Sequence, residues 1–580
     1  MKIFHVYEPD HFEGLVKNNF LNEDTGLKVQ HIFTLHNRKK FNTLAAKGSA
    51  LYELIKKERY PLYIDRLTGG VKYHPYAFDK ELFREYRSLL GEWFLGAQLH
   101  EIGNNRYNDW NRLMQRLGDR PYTLQNIKEV MFSPESTNPQ NMPIYRFTQG
   151  SPEEFATLSR PLTIEATQKD LYDTIVKRLQ ETDGNLISCD GGSLLFQLEH
   201  QAGVPTFMPE IGYQTQHTRI QIALARGMAK AYGKKWGVYY ECWKAAENGG
   251  STYTQPVYGD LPYNDWNYTQ DQFGDDFTTC GENGGSSRLL QRRIYFHALM
   301  SGAEFFAEEW GFVRSFYNME TYDLSPYGKV KKEFIDFARN HKRMRPVTPF
   351  AIVLPTDLCC LHVGTGFKGS IGTPCTKFLR VTPDDATAAR FGKIHDVIKT
   401  VFQGEDAGKY GNEGKTLQNS KFGDLFDIIY ADAPEDALKQ YDLLIDADPE
   451  DAFLKATPAL PIVSGKDLGA LEETLRQKAE ELLPLSVDQL HWILSEDEHG
   501  RYLTLFNNEG NHRTIKDGDT IDPKADATAT VTIKDGAELS LLYSSAPTAI
   551  QKIKDGIYRI TVPAAQLAVF RLQFYSPYDE

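Results

Sequence analysis

Short apolar segments recur through the first 345 residues, and amphipathic stretches of helical periodicity separate them. Each segment ends in or near polar residues, which is typical of strands that are buried on both faces of a parallel sheet. The predicted strands are 2–7, 27–35, 61–65, 93–101, 185–190, 205–210, 236–241 and 304–309. The predicted helices include 42–58, 168–182, 218–233, 288–302 and 327–344. Eight successive β-α units predict an α/β fold, a closed (β/α)8 TIM barrel over residues 1–345.

The pattern changes twice after the barrel. Residues 346–483 alternate strands such as 348–355 and 426–432 with helices such as 468–483, which predicts a small open α/β domain. Residues 484–580 contain short strand-like runs separated by turn-forming residues, which predicts a C-terminal β-sandwich. The chain is therefore expected to contain three domains.

Composition narrows the class of protein. Hydrophobic residues make up 41% and charged residues 25% of the 580 residues, as in soluble proteins with a sizeable core. The net charge of −13 and the lack of a basic block argue against nucleic acid as a partner. No apolar run approaches the ~18 residues of a membrane span, and no signal peptide is visible. The six cysteines fit neither a zinc motif nor a disulfide framework, so we expect a reduced, cytoplasmic protein without metal or other cofactor.

Acidic residues end six of the eight predicted barrel strands. The active site of such a barrel lies at the carboxyl ends of its strands, and charged groups seldom end buried strands unless they are paired or functional. Salt bridges to arginines such as Arg66 and Arg314 explain some of these acids, but poorly explain the whole set. Among these acids, Asp65, Glu210 and Glu308 are predicted to contact substrate, and so is the neighbouring Arg66. The remaining acids at the strand ends are Glu101, Asp190, Glu241 and Glu309.

Glu101 and Glu241 are the best placed of these acids. They follow predicted strands 4 and 7, which face each other across the mouth of a barrel. Paired carboxylates across a mouth suit the cleavage of a glycosidic bond, in which one acts as acid/base. The other acts as nucleophile or as the base that activates water.

Aromatic residues are concentrated near the same rim. They make up 12% of the chain, and many lie in the segment 244–287 among Gly, Asn, Asp and Gln. Loops of this length inside a compact domain are usually functional, and aromatic faces pack against the C–H surfaces of sugars. A surface loop packed on itself is the alternative. The predicted sugar contacts are Trp243, Trp266, Asn104 and Asn105.

The layout resembles that of clan A glycoside hydrolases, which place the acid/base after strand 4 and the nucleophile after strand 7. The resemblance implies these roles for Glu101 and Glu241. It also implies that Tyr213 contacts the nucleophile and that Trp310 forms the floor of the glycone subsite. The domain order is similar to that of family 42-type β-galactosidases, whose barrel is followed by an amidotransferase-like domain and a β-sandwich. This similarity implies a β-linked, galactoside-like substrate, retention of configuration, and homo-oligomers formed through the middle domain.

Three other interpretations stay open. The order Glu101, Asp190, Glu241 is also similar to family 98 glycoside hydrolases, which invert configuration and would use Asp190 and Glu241 as base. A divalent-metal sugar isomerase or lyase also rings its barrel with acids, but it normally adds histidines at strand ends, where only His100 and His217 are near. A non-catalytic glycan-binding barrel needs no matched acids. The sequence favours the retaining glycoside hydrolase.

Overall fold

The structure is a computed structural model of the 580-residue chain. It describes residues 1–7, 12–21, 25–29, 41–42, 45–64, 79–134, 136–137, 143–144, 147, 149–190, 194–211, 218–240, 246–247, 250–251, 287–308, 315–316, 320–341, 344–360, 383–402, 417, 419–420, 422–514, 518–534 and 536–573. None of the helices within these ranges combines the length and the apolar character needed to cross a bilayer.

Eight parallel strands form a closed barrel in the N-terminal part of the chain. Each strand pairs with the next in sequence, and the eighth pairs with the first. The strands are β1 (Lys2–Tyr7), β2 (Thr25–Val29), β3 (Leu62–Ile64), β4 (Phe94–His100), β5 (Leu186–Asp190), β6 (Thr206–Ile211), β7 (Lys235–Tyr240) and β8 (Phe305–Glu308). Every one of them overlaps a strand predicted from the apolar runs.

Helices connect the strands of the barrel. They are α1 (Phe12–Lys17), α2 (Ala50–Glu58), α3 (Lys80–Leu90), α4 (Ile102–Leu117), α5 (Leu124–Met131), α6 (Pro152–Thr157), α7 (Ile164–Glu181), α8 (Phe196–Ala202), α9 (Thr218–Tyr232), α10 (Arg288–Met300) and α11 (Pro326–Ala338). The helix predicted over 42–58 begins only at Ala50. Ser49 is extended and its hydroxyl accepts the Tyr52 N–H, so it caps the helix eight residues into the predicted segment.

The barrel has its own interior core, distinct from the larger core between the barrel and its helices. Apolar side chains from five strands fill it, and none is more than 2% exposed. These residues are Tyr63, Ile187, Cys189, Met208, Tyr239, Phe305 and Ala307. Because successive side chains on a strand point to opposite faces, this set shows which residues of these five strands face the barrel interior and which face the helices.

The middle part of the chain contains a four-stranded parallel sheet in the order β10-β9-β11-β12. Its strands are β9 (Phe350–Leu354), β10 (Phe426–Tyr430), β11 (Leu443–Asp446) and β12 (Ile462–Ser464). Its helices are α12 (Asp385–Phe402), α13 (Glu435–Leu438), α14 (Ala452–Ala456) and α15 (Leu468–Leu482). The amidotransferase-like assignment of this region stays a prediction.

Two antiparallel sheets follow, with strand orders β14-β15-β20-β17 and β13-β16-β19-β18. The strands are β13 (Leu485–Val487), β14 (His491–Asp497), β15 (Gly500–Phe506), β16 (Ala527–Ile533), β17 (Glu538–Ser544), β18 (Ala549–Lys554), β19 (Ile557–Val562) and β20 (Leu567–Gln573). The short strand Arg345–Pro346, which directly follows the barrel, pairs with β14 and so joins the first sheet. The β-sandwich assignment of these two sheets stays a prediction.

A buried ionic network joins the barrel to the later sheets. The Asp424 carboxylate, just before β10, accepts Arg219 Nε of α9 at 2.6 Å. The same carboxylate lies 2.6 Å from His297 Nε2 of α10 and 2.7 Å from His491 Nε2 of β14. Burial alone would raise the pKa of Asp424, but Arg219 and the two histidines hold it well below its usual range. Asp424 is therefore an ionised carboxylate that ties three elements together.

Candidate active site

Glu101 lies at the carboxyl end of β4, where the chain turns into α4. Its backbone is left-handed, with φ 43° and ψ 51°, a conformation that residues other than glycine rarely adopt. Glu101 occupies the N-cap position of α4, yet its side chain makes no capping hydrogen bond. The side chain is 16% exposed. Backbone strain of this kind concentrates at functional sites, where the surrounding structure imposes it.

Asp190, at the end of the neighbouring strand β5, caps α4 in place of Glu101. Its Oδ2 accepts the backbone N–H of Gly103 at 3.0 Å, in the first turn of the helix. The Glu101 N–H in turn donates to the Cys189 carbonyl at 2.5 Å. These two bonds, both between the β4–α4 turn and β5, hold Glu101 in its strained conformation.

The carbonyl of His100 is fixed by two side-chain amides. Asn105 Nδ2 and Gln149 Nε2 each donate to it at 3.1 Å. Asn105 Nδ2 also lies 3.5 Å from Glu101 Oε2. Asn105, predicted as a sugar contact, is thus placed beside the Glu101 carboxylate and supports the same turn.

Three polar side chains converge inside the barrel just below this turn. They are His100 of β4, Cys189 of β5 and Glu210 of β6, and all three are buried. One ligand atom of each, a ring nitrogen, the sulfur and a carboxylate oxygen, lies within 4.8 Å of the other two. Glu210 was predicted to contact substrate. It lies two residues after inward-facing Met208 on β6, so its side chain also points into the barrel. The sequence pattern predicts no role for Cys189.

Glu308 occupies a different environment from the one predicted. It alternates with inward-facing Phe305 and Ala307, so its side chain points towards the helices. The carboxylate forms a buried salt bridge with Lys331 of α11. The hydroxyls of Tyr295 and Tyr327 also donate to it. This placement corrects the predicted sugar contact, because the acid fastens α10 and α11 to the barrel instead.

Glu199 of α8 is a buried acid that the sequence analysis missed. It lies wholly inside the protein. Burial raises its pKa from 4.5 to about 8, the negative charge of Asp190 adds to the effect, and the Ser188 hydroxyl partly opposes it. Glu199 is therefore protonated at neutral pH. The neutral Glu199 side chain therefore lies close to Asp190 of β5, the strand that supports the turn at Glu101.

Most of the remaining predicted site residues lie outside the described residues. Asn104 lies in α4, and Glu241 directly follows the end of β7 in the sequence. Asp65, Arg66, Tyr213, His217, Glu241, Trp243, Trp266, Glu309, Trp310 and Arg314 lie outside the described residues, as does most of the segment 244–287.

Comparisons with known proteins give remote structural similarity alone. No family model matches the chain, and no curated protein matches it. Alpha-L-fucosidase isoenzyme 2 from Paenibacillus thiaminolyticus aligns over 99% of both chains with 10% identity and a TM-score of 0.46. The catalytic module of a family 98 glycoside hydrolase from Streptococcus pneumoniae, solved with the LewisY pentasaccharide, aligns over 98% of both chains with 8% identity and a TM-score of 0.42. Similarity at this level carries no functional inference.

Proposed function

We propose that the protein is a glycoside hydrolase that cleaves a β-linked, galactoside-like glycan with retention of configuration. Glu101 serves as the acid/base and Glu241 as the nucleophile. The observation that carries the proposal is the strained, left-handed Glu101 at the carboxyl end of β4. Its carboxylate stands at the mouth of a closed barrel and leaves the capping of α4 to Asp190.

The position of β7 supports the second carboxylate. In the eight-stranded barrel, β7 lies three strands away from β4. Glu241 follows β7 directly in the sequence, and we infer that it faces Glu101 across the rim. A retaining glycosidase needs this arrangement, with one acid on each side of the scissile bond. The family 42 resemblance and the galactoside-like substrate stay predictions.

The placement of Asp190 favours the retaining mechanism over the inverting one. An inverting enzyme of family 98 type would use Asp190 with Glu241 to hold the attacking water. In this chain Asp190 alternates with inward-facing Cys189 and accepts the Gly103 N–H, so its carboxylate is engaged with the helix. We therefore assign Asp190 a positioning role.

The Asp190→Asn variant separates the two mechanisms. Asparagine keeps a side-chain oxygen for the Gly103 N–H, so we expect it to lose far less than the about 10²–10⁴-fold that removal of a general base costs. The measurement is kcat/KM on the best substrate, with Asp173→Asn, an exposed acid paired with Lys169, as the control. Near-complete loss in the Asp190 variant alone would support the inverting mechanism instead.

A panel of aryl β-glycosides tests the proposed function itself. The wild-type protein is expected to release the phenol from at least one of them, and Glu101→Gln is expected to lose this activity on weakly activated members. Glu92→Gln is the matched control, because this exposed glutamate precedes the opposite end of the same strand. Saturable glycan binding without turnover would identify a non-catalytic glycan-binding barrel.

A further inference from the structure

We propose that His100, Cys189 and Glu210 form a binding site for a divalent transition-metal ion, with zinc preferred. The three side chains come from adjacent strands, β4, β5 and β6, and face the barrel interior. His100 and Cys189 are direct partners in the register between β4 and β5. This proposal revises the expectation of a protein without metal, and it does not depend on glycosidase activity.

The geometry is close to that of a metal site. The three ligand atoms lie within 4.8 Å of one another, and all three residues are buried. Ligands of a tetrahedral zinc ion, bound at about 2.0–2.3 Å, are roughly 3.3–3.8 Å apart. Small side-chain rotations therefore bring the three atoms into the coordination sphere of one ion, without any movement of the strands.

The chemistry of the ligands indicates which ion fits. Thiolate and imidazole select zinc and related transition metals, whereas magnesium and calcium prefer oxygen ligands alone. Three protein ligands leave one tetrahedral position open, as in catalytic zinc sites. The cluster lies below Glu101 and is buried, so this position would be filled by a water molecule.

A second group of potential ligands is less suited to a metal ion than His100, Cys189 and Glu210. His297, Asp424 and His491 also lie within 4.8 Å of one another. Their carboxylate, however, is bound by Arg219 at 2.6 Å, and a buried guanidinium next to the site repels a cation. In the described part of the chain, the group in the barrel is therefore the stronger metal site.

Cobalt(II) is the probe that tests the proposal, because a thiolate ligand gives it a charge-transfer absorption band. The full-length protein is treated with chelator, exchanged into reducing buffer and titrated with CoCl2 in the absence of any glycan. We expect one equivalent to bind with a thiolate band, and one equivalent of zinc to displace it. The Cys189→Ser variant should lose the band, whereas Cys359→Ser, which alters a buried cysteine elsewhere, should keep it.

Further variants test the other two ligands. His100→Gln and Glu210→Gln are each expected to weaken zinc binding by more than the about 10–100-fold that partners outside the coordination sphere contribute. Zinc should also raise the Tm of the wild-type protein but not of Cys189→Ser, and circular dichroism of the metal-free proteins shows whether each variant folds. The absence of stoichiometric binding, or a thiolate band that persists in Cys189→Ser, would overturn the proposal. Glycosidase activity without metal binding would overturn it as well and leave the proposed function standing.

Discussion

Glu101→Gln is expected to lower kcat/KM on glycosides with poor leaving groups by about 10²–10⁴-fold, the usual contribution of a general acid. The loss arises because glutamine cannot donate a proton to the departing oxygen. A dinitrophenyl leaving group needs no such proton, so hydrolysis of its glycosides is expected to be far less affected at the first step. Rates measured across aryl glycosides of rising phenol pKa should therefore show a loss that grows with that pKa.

Glu92→Gln controls for the removal of a negative charge next to the other end of β4, and it is expected to match the wild type on every substrate. Circular dichroism of Glu101→Gln checks that the variant still folds. An equal loss on activated and unactivated substrates would show that Glu101 binds the sugar or maintains the fold, and does not act as the acid.

Glu199→Gln is expected to change the free energy of unfolding more favourably at pH 8 than at pH 5. The difference between variant and wild type should be about 3–4 kcal/mol larger at pH 8. The native pKa of Glu199 is raised to about 8, whereas the unfolded chain ionises near 4.5. A raised native pKa contributes stability that is fully present below the unfolded pKa and is lost as the pH rises through the native pKa. Between these two values the unfolded wild type therefore releases a proton that the native state retains.

The measurement is the free energy of unfolding in urea at pH 5 and pH 8. The quantity compared is the difference between wild type and Glu199→Gln at each pH, because buried histidines such as His491 and His395 contribute their own pH dependence. Glu165→Gln, an exposed acid with no such burial, is expected to show no change between the two values. If the difference between Glu199→Gln and wild type is also equal at pH 5 and pH 8, Glu199 ionises normally in the native state and the prediction is wrong.

Strands β3 to β8 of the barrel could be predicted from the sequence because both of their faces are buried. Such strands form apolar runs that are easy to recognise, and their ends place acids at one rim. The same property hides the orientation of each side chain. When both faces are apolar, no alternation shows whether an acid at the strand end points into the barrel or towards the helices.

This ambiguity decides which of the predicted acids face the barrel interior. Asp190 and Glu308 lie out of phase with the inward-facing residues, so one caps α4 and the other binds Lys331. Glu210 lies in phase and faces the interior. His100 and Cys189 also face the interior. Each directly precedes an acid, Glu101 or Asp190, and the prediction was made for the acid instead. The available signal for a metal site was a histidine and a cysteine, each one residue before the end of a predicted strand, on two adjacent strands.

The configuration of the first-formed product tests the central claim most directly. Proton NMR during hydrolysis of a β-glycoside distinguishes the two anomers of the released sugar before they equilibrate. With Glu241 as nucleophile and the two carboxyl groups about 5–5.5 Å apart, the β anomer is expected to appear first. An initial α anomer would mean a water-filled separation of roughly 6.5–9.5 Å and would contradict the retaining mechanism.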